Sequence, residues 1–524
     1  MSTQTIEYQT GVPALDAATL CEAFQITARS HAAQIAVRTP RNGFTMTWGD
    51  YDERVRRTAA GLAALGVRRG DTVATMLTNR PEFHWVDVAA MHLGAQAFGL
   101  YNTSSQEQLE YVLRDADSAV VVTERVFAAK MLRAREACPL AHVVSVDGGG
   151  TLTLDEVDAG GHPGFDFDAA WQAVRSSDVV TLIYTPGTTG PPKGAQITHG
   201  AVMASVRPLQ QAIPAYRSGF SAISYLPTAH AIARILQHYY ALVHGGTLTC
   251  CPGVADLGAT LVDARPTLFI GTPRVWEKLQ AGLSAAIEAD HDDQRRQAAE
   301  WGIDVGLRRV RVAQAGRRPS TQLLAEHERA DALVLPNLRA RLGLDRVEGA
   351  IIGASPVAPE VIEFFWALGV PLCEAYSMTE VMVATVNPTD RVKIGTVGPP
   401  VPGMELRLAA DGEVLNAQPA DDVGLPRPAA EDRRDHRRRR LGAFQVMSAS
   451  WTRTATCGSS TGRRGVWSIH DVGVADAPHT VRASTSCSAG VPLRAAAPAT
   501  AHAVVSQDLT LCRCLWKTVS STIR

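Results

Sequence analysis

The 524-residue sequence has no excess of charge of either sign: 51 Lys and Arg stand against 52 Asp and Glu, a formal net charge of −1. That balance excludes bulk attraction to nucleic acid or to an anionic membrane. The nine cysteines include no pair at metal-ligand spacing, since Cys250 and Cys251 are adjacent and Cys512 and Cys514 are one residue apart. A structural zinc module is thereby excluded. No secretory signal opens the chain, so the reducing cytoplasm is the expected compartment. No uninterrupted apolar run reaches the roughly 20 residues of a membrane span; peripheral association with a membrane stays compatible with this composition. A Walker A loop is missing as well. Lys193, the lysine of the glycine-threonine segment 184–194, is followed by Gly194 rather than Ser or Thr.

What is present reads as an ordinary globular enzyme, with 46% hydrophobic and 20% charged residues. The length calls for two or more domains. From about Leu20 to Leu408, helical and strand patterns alternate in the manner of α/β layers. Residues 51–66 predict an amphipathic helix ended by Gly66. Residues 71–77 and 117–123 predict buried strands, and Thr198 predicts the cap of a helix beginning near Gly200. Between Trp276 and Arg341 the pattern is charged and mostly helical.

Residues 184–194 read Y-T-P-G-T-T-G-P-P-K-G. Glycines at 187, 190 and 194 let the backbone turn with its N–H groups free. Thr185, Thr188 and Thr189 add hydroxyl donors, and Lys193 adds a cation. A flexible loop of that make-up after the apolar run V-V-T-L-I-Y suits a polyphosphate. The plain alternative is a Gly/Pro surface turn. Further along stand Y-L-P-T-A-H-A-I-A-R (225–234), I-I-G-A-S-P (351–356), E-A-Y-S-M-T-E (374–380) and G-T-V-G-P-P-V-P-G-M-E-L (395–406).

In this order the segments resemble those of the adenylate-forming superfamily, which includes acyl-CoA synthetases, peptide-synthetase adenylation domains and luciferases. The helical stretch near 277–340, preceded by W-E-K-L-Q, is similar to the insertion of long-chain fatty-acid–CoA ligases. The resemblance implies an α/β fold with a large adenylate-forming N-terminal domain of layered sheets and helices, spanning 1–408. It implies that Lys193, Thr185, Gly187, Thr188, Thr189 and Gly190 hold the ATP phosphates. Tyr376 would stack on adenine, Thr379 would contact the α-phosphate, and Glu380 would hold Mg²⁺. Gly353 and Ala354 would pass close to the adenine and the acyl carbonyl, and His230 would border the acyl carboxylate. Pro186 and Ser377 depart from the usual Ser and Gly of the family; Pro186 removes a hydroxyl and a backbone N–H from the loop. The implied partners are a long-chain fatty acid, ATP and CoA, with no nucleic acid. A non-catalytic nucleotide or acyl-binding module, and a fatty acyl-AMP ligase, are the alternatives.

Beyond about Leu415 the family's landmarks stop. No G-W-x-x-T-G-D segment and no D-R-x-K hinge stands in 409–524, and its one lysine, Lys517, is not in the setting of the family's late lysine, so the region reads as a degenerate, poorly ordered remnant of a small C-terminal domain. The arginines between 433 and 440 invite a nucleic-acid reading, but the reading frame offers another. Written in G/C-rich codons and begun one nucleotide earlier, residues 446–462 yield G-D-V-G-E-L-D-A-D-G-Y-V-R-I-V-D-R. Residues 431–442 read one nucleotide later yield K-T-A-E-T-I-D-A-D-G-W-A. Both are the family's expected wording, in order. The tail is therefore expected to be frameshifted, with activity impaired or lost if it is translated as written.

Overall fold

A computed structural model describes residues 12–185, 192–379 and 381–408, with three later strands, Val414–Ala417, Ala449–Arg453 and Trp467–Val472. In chain order the strands begin with β1 (Ile35–Arg38), β2 (Thr45–Thr47), β3 (Thr72–Met76), β4 (Gln96–Gly99), β5 (Val120–Thr123) and β6 (His142–Ser145). They continue with β7 (Leu152–Thr153), β8 (Val179–Thr185), β9 (Lys193–Thr198), β10 (Ser221–Ser224), β11 (Thr247–Cys250) and β12 (Leu268–Gly271). Last come β13 (Gly349–Ile352), β14 (Leu372–Met378), β15 (Met382–Val386), β16 (Glu405–Leu408), β17 (Val414–Ala417), β18 (Ala449–Arg453) and β19 (Trp467–Val472).

The largest sheet has seven strands in the order β7-β6-β5-β3-β4-β8-β9, parallel except for β9, which returns antiparallel to β8. Helices Trp48–Ala64 and Pro81–His92 connect β2, β3 and β4, and burial on both faces explains the unbroken apolar run Val120–Val122. A second sheet runs β10-β11-β1-β2, and a third runs β12-β13-β14-β15. The expected α/β layering is therefore the observed architecture.

Local chemistry sets the boundaries. The first predicted helix begins at Trp48, earlier than 51, because Thr47 and Asp50 form a reciprocal capping box. It closes at Gly66, whose φ of 98° is the left-handed stop that glycine supplies. The strand expected over 117–123 is confined to Val120–Thr123, since Asp117 turns with φ 48°. Thr198 caps the helix His199–Ala212 by accepting from the Ala201 N–H, as its position predicts. The 276–341 stretch contains the helices Pro273–Glu288, Asp293–Gln314, Thr321–Leu333 and Leu335–Arg341.

One core joins the seven-stranded sheet to the third sheet, with Ile183, Ile197 and Val202 packed in the same cluster as Tyr376, Met378 and Val383. A second core gathers Trp276, Phe269, Val305 and Phe365 beneath the helical stretch. Across the boundary expected at 408, β16 pairs antiparallel with β17. In the C-terminal region, β18 pairs with β19; the rest of the chain from 418 onward lies outside the described residues.

Candidate active site

Four of the five sequence motifs lie at the carboxyl end of a strand or just beyond it, where open α/β sheets place their ligands, while 395–406 leads into the start of β16. The two ends of the 184–194 segment pair in the β8–β9 hairpin, Thr185 with Lys193 and Tyr184 with Gly194. A side chain at 194 would stand 2.9 Å from Cζ of Tyr184, so glycine lets the tyrosine ring lie across the base of the hairpin. The Tyr184 hydroxyl donates to Asp115 Oδ2 at 2.7 Å. Burial, and then this bond, push the phenol's pKa up, so the bond holds as a neutral donor. Thr185 is half-buried, and Lys193 is exposed, with no ion-pair partner among the described residues. Gly187, Thr188, Thr189 and Gly190 lie outside the described residues.

His230 stands on a turn that follows β10. Its N–H donates to the Pro227 carbonyl at 2.9 Å, and its Nδ1 accepts from the Ile232 N–H at 3.2 Å. Neighbouring protein lowers the imidazole pKa by desolvation, although the residue keeps an exposed surface. Protonated His230 is thus disfavoured near neutral pH. The turn lies flush against the end of β4: a Cβ on Gly99 would meet Ala229 Cα at 2.5 Å and Ala229 N at 2.7 Å. Since β4 pairs with β8, the His230 turn lies at the end of the strand next to the one that ends at Thr185. The chain then enters a π-helix, Ile232–Tyr239, a rare wide form that recurs at functional sites.

In the third sheet Ile352 pairs with Glu374, so the 351–356 and 374–380 segments lie side by side. A Cβ at Gly353 would sit 2.7 Å from the Ala375 carbonyl oxygen, which only glycine permits. Ala354 follows with φ 74°, exposed, in a backbone state that disfavours alanine. Tyr376 is buried at 8% exposure, its hydroxyl 3.1 Å from Met378 Sδ. Thr379 is half-buried in the turn after β14, and Glu380 lies outside the described residues.

Side-chain bonds tie the strand ends of the three sheets together. Ser224 Oγ donates to Asn79 Oδ1 at 3.2 Å, joining the ends of β10 and β3. The Tyr225 hydroxyl donates to the Ile270 carbonyl at 2.9 Å, joining β10 to β12. Four of the motifs are therefore drawn to connected strand ends.

Three features escaped sequence reading. Glu374 accepts from the Gly395 N–H at 2.9 Å, and burial raises its pKa to about 7 against those backbone donors. Asn387 grips the same loop, accepting from the Lys393 N–H and donating to the Lys393 and Thr396 carbonyls. Beneath the His230 turn, Arg234 and Asp87 form an ion pair with both side chains at 0% exposure. The available signals were single charges inside apolar runs, W-V-D-V-A-A and A-I-A-R-I-L.

The family described as AMP-binding enzyme matches residues 24–424. FadD15 of Mycobacterium tuberculosis, named a long-chain-fatty-acid–CoA ligase, is 32% identical over 379 residues, covering 71% of this chain and 62% of that protein. ACSBG2 of Xenopus laevis, with the same activity in its name, is 29% identical over 432 residues, covering 77% and 57%. A third relative, fadD11 of M. tuberculosis, is 38% identical over 268 residues, 51% of this chain and 47% of that protein. The chain thus spans about half to three-fifths of the length of these curated relatives. Among solved structures, the anthranilate CoA ligase AuaEII in complex with anthranoyl-AMP superposes with a TM-score of 0.65 at 17% identity, over 86% of this chain and 76% of its own. A long-chain-fatty-acid-CoA ligase, FadD1 from Archaeoglobus fulgidus, gives a TM-score of 0.59 at 18% identity, over 76% and 74%. With its strand ends drawn together in that shared fold, the chain belongs to the AMP-binding enzyme family.

Proposed function

We propose that the protein activates a long-chain fatty acid with ATP, forming acyl-AMP and pyrophosphate, and that the adenylate is destined for CoA. The observation that carries this reading is the meeting of the His230 turn and the β8–β9 hairpin at the ends of paired strands. There a carboxylate oxygen attacks the α-phosphorus, the α–β bridging bond breaks, and pyrophosphate leaves with the electron pair. In the second half, the CoA thiolate attacks the acyl carbonyl and AMP departs.

Two anions must approach for the first step. Each like-charge contact at ~4 Å costs about 4 kcal/mol at an effective dielectric near 20. Lys193 and the loop amides offset that repulsion, and Thr379 donates to the α-phosphate. Gly353 and Ala354 give the nucleotide and acyl carbonyl a backbone surface without bulk, and Tyr376 offers its ring to adenine. His230, disfavoured as a cation by desolvation, supplies a neutral hydrogen bond to the incoming carboxylate. Among the described residues no cluster of three or more His, Cys, Asp or Glu side chains could cage a metal ion. A magnesium carried on ATP itself would need as little as one protein carboxylate, assigned here to Glu380. When bound, the ion neutralises charge on the phosphates.

The thioester half-reaction is where the 409–524 region matters. We infer a frameshifted tail that lacks the family's hinge and late-lysine landmarks, so adenylation should exceed thioester formation. ATP–pyrophosphate exchange with palmitate, run beside a CoA thioester assay, tests both points. Exchange without thioester marks a half-reaction enzyme. ATP binding without exchange would replace the ligase reading by a nucleotide-binding module. Sequencing the gene tests the frameshift: codons for 431–462 that fail to give the two strings in shifted frames refute it.

A further inference from the structure

The His230 turn is fastened from beneath by one side chain. The Arg234 backbone N–H donates to the His230 carbonyl at 3.1 Å, and Arg234 Nε donates to the Thr228 carbonyl at 3.1 Å. Arg234 thus grips both ends of the segment Thr228–His230. Its Nη1 reaches Asp87 Oδ1 at 2.6 Å and Oδ2 at 2.8 Å, and it approaches the Ala97 carbonyl on β4 at 3.4 Å. The guanidinium lies over the Phe83 ring, 5.1 Å from its centre. The Tyr239 hydroxyl, at the far end of the π-helix, donates to the same Asp87 carboxylate at 3.2 Å. One buried carboxylate therefore ties together the helix Pro81–His92, the His230 turn and the π-helix.

A buried ion pair is a poor choice for stability alone, because desolvating both charges consumes most of their attraction. Here the surroundings show that cost. Burial raises the Asp87 pKa, and the Arg234 charge and Tyr239 hydroxyl offset it only in part. Arg234 Nη2 has no hydrogen-bond partner among the described residues. An apolar pair of similar volume would fill the same space without those penalties. What it could not do is reach a turn carbonyl with a planar, directional donor.

We propose that Arg234, oriented by Asp87, is a positioning residue that sets the His230 turn and hence the seat of the acyl carboxylate. The proposal rests on the ligase reading for its kinetic consequence but not for its structural one. Loosening the turn should affect the acid and leave the nucleotide, because among the described residues Lys193 and the β8–β9 hairpin take no bond from Arg234.

The test is Arg234→Lys in the full chain, which keeps the positive charge but loses the fork. In ATP–pyrophosphate exchange, KM for palmitate should rise about tenfold or more while KM for ATP stays within twofold. Without any substrate, hydrogen exchange should show lost protection at the amides of His230 and Arg234, with protection across β3–β5 retained. Equal increases in both KM values, or unchanged protection at those two amides, would overturn the proposal. If Arg234→Lys fails to fold, Asp87→Asn takes its place under the same criteria. A wild-type chain inactive in exchange would sink the ligase reading, and the amide protection would still decide the positioning role.

Discussion

Gly99→Ala is the sharpest probe of the site, because the structure fixes both the direction and the size of the disturbance. The added methyl would sit 2.5 Å from Ala229 Cα and 2.7 Å from Ala229 N. Ordinary van der Waals contact begins near 3.4 Å, so the turn carrying His230 must retreat by about 1 Å. A misplacement of that size in a positioning element costs on the order of 10²-fold in rate, equivalent to about 2.7 kcal/mol of transition-state stabilisation. Stability should suffer less. Replacing strand glycine returns roughly 0.5–1 kcal/mol of backbone entropy, against about 1–3 kcal/mol for overpacking. At ~2.1 cal/mol/K per residue over about 400 cooperative residues, 1 kcal/mol is close to 1 °C in Tm. The expected outcome is therefore a roughly hundredfold fall in kcat/KM for palmitate in pyrophosphate exchange, with Tm lowered by no more than about 3 °C. Gly258→Ala, at a site with nothing within 4 Å of the new methyl, serves as the control and should leave exchange unchanged. Gly99→Ala activity within threefold of wild type would refute the placement of the acid beside this turn.

Further outcomes follow from the buried charges. Asp87→Ala leaves Arg234 uncompensated and should cost about 3–5 kcal/mol, read as a Tm drop of roughly 4–6 °C, whereas Asp87→Leu with Arg234→Met should regain most of it. Equal losses in the single and double variants would show that the pair's packing, rather than its charge, is what matters. Burial lowers the pKa of His84 and His199 to about 3 and of His92 and His244 to about 4. The unfolded chain takes up protons first on acidification, so stability is full above about pH 6.5 and is lost as pH falls toward 4, by up to about 1.4 kcal/mol per unit for each imidazole. A Tm that is flat from pH 7.5 to 5 would contradict this. Glu374 acts in the opposite sense: its folded pKa of about 7 lies above the unfolded value, so stability declines as pH rises from about 4.5 to 7. Glu374→Gln should consequently raise Tm at pH 8 relative to wild type and change it little at pH 4.5. Ala354→Gly relieves a left-handed alanine and should raise Tm by about 1 °C, with a lower Tm counting against the strain.

Legibility in the sequence followed the range of the forces involved. Short-range signals were read well: the Thr198 cap, the stop at Gly66 and the helices of the 273–341 stretch all appear where hydroxyls, glycine and apolar spacing put them. Boundaries slipped where a second local bond competed, as with the Thr47–Asp50 box that starts its helix three residues early. The motifs told which residues matter but not why they meet. That depends on strand order, on Gly99 touching Ala229, and on hydroxyl bonds between sheets, none of which has a local pattern. Asp87 and Arg234 were invisible for the same reason: one charge in an apolar run is a surface residue or a buried partner depending on what lies 147 positions away.

The wide helical coil at Ile232–Tyr239 has a consequence for how this chain tolerates insertions and deletions. Such a coil holds one residue more than a regular turn needs, so removing a single amino acid between 233 and 237 would let it tighten into ordinary α geometry. Locally that shortening relieves the backbone. Because the surplus residue is what widens the coil, its removal would leave the flanking turns near their present register and the imidazole of residue 230 near its present neighbours. A one-codon loss there is therefore absorbed, whereas a one-codon gain, with no slack left to take it up, would turn the N-terminal side by about 100° and leave a well-folded protein with nothing to do.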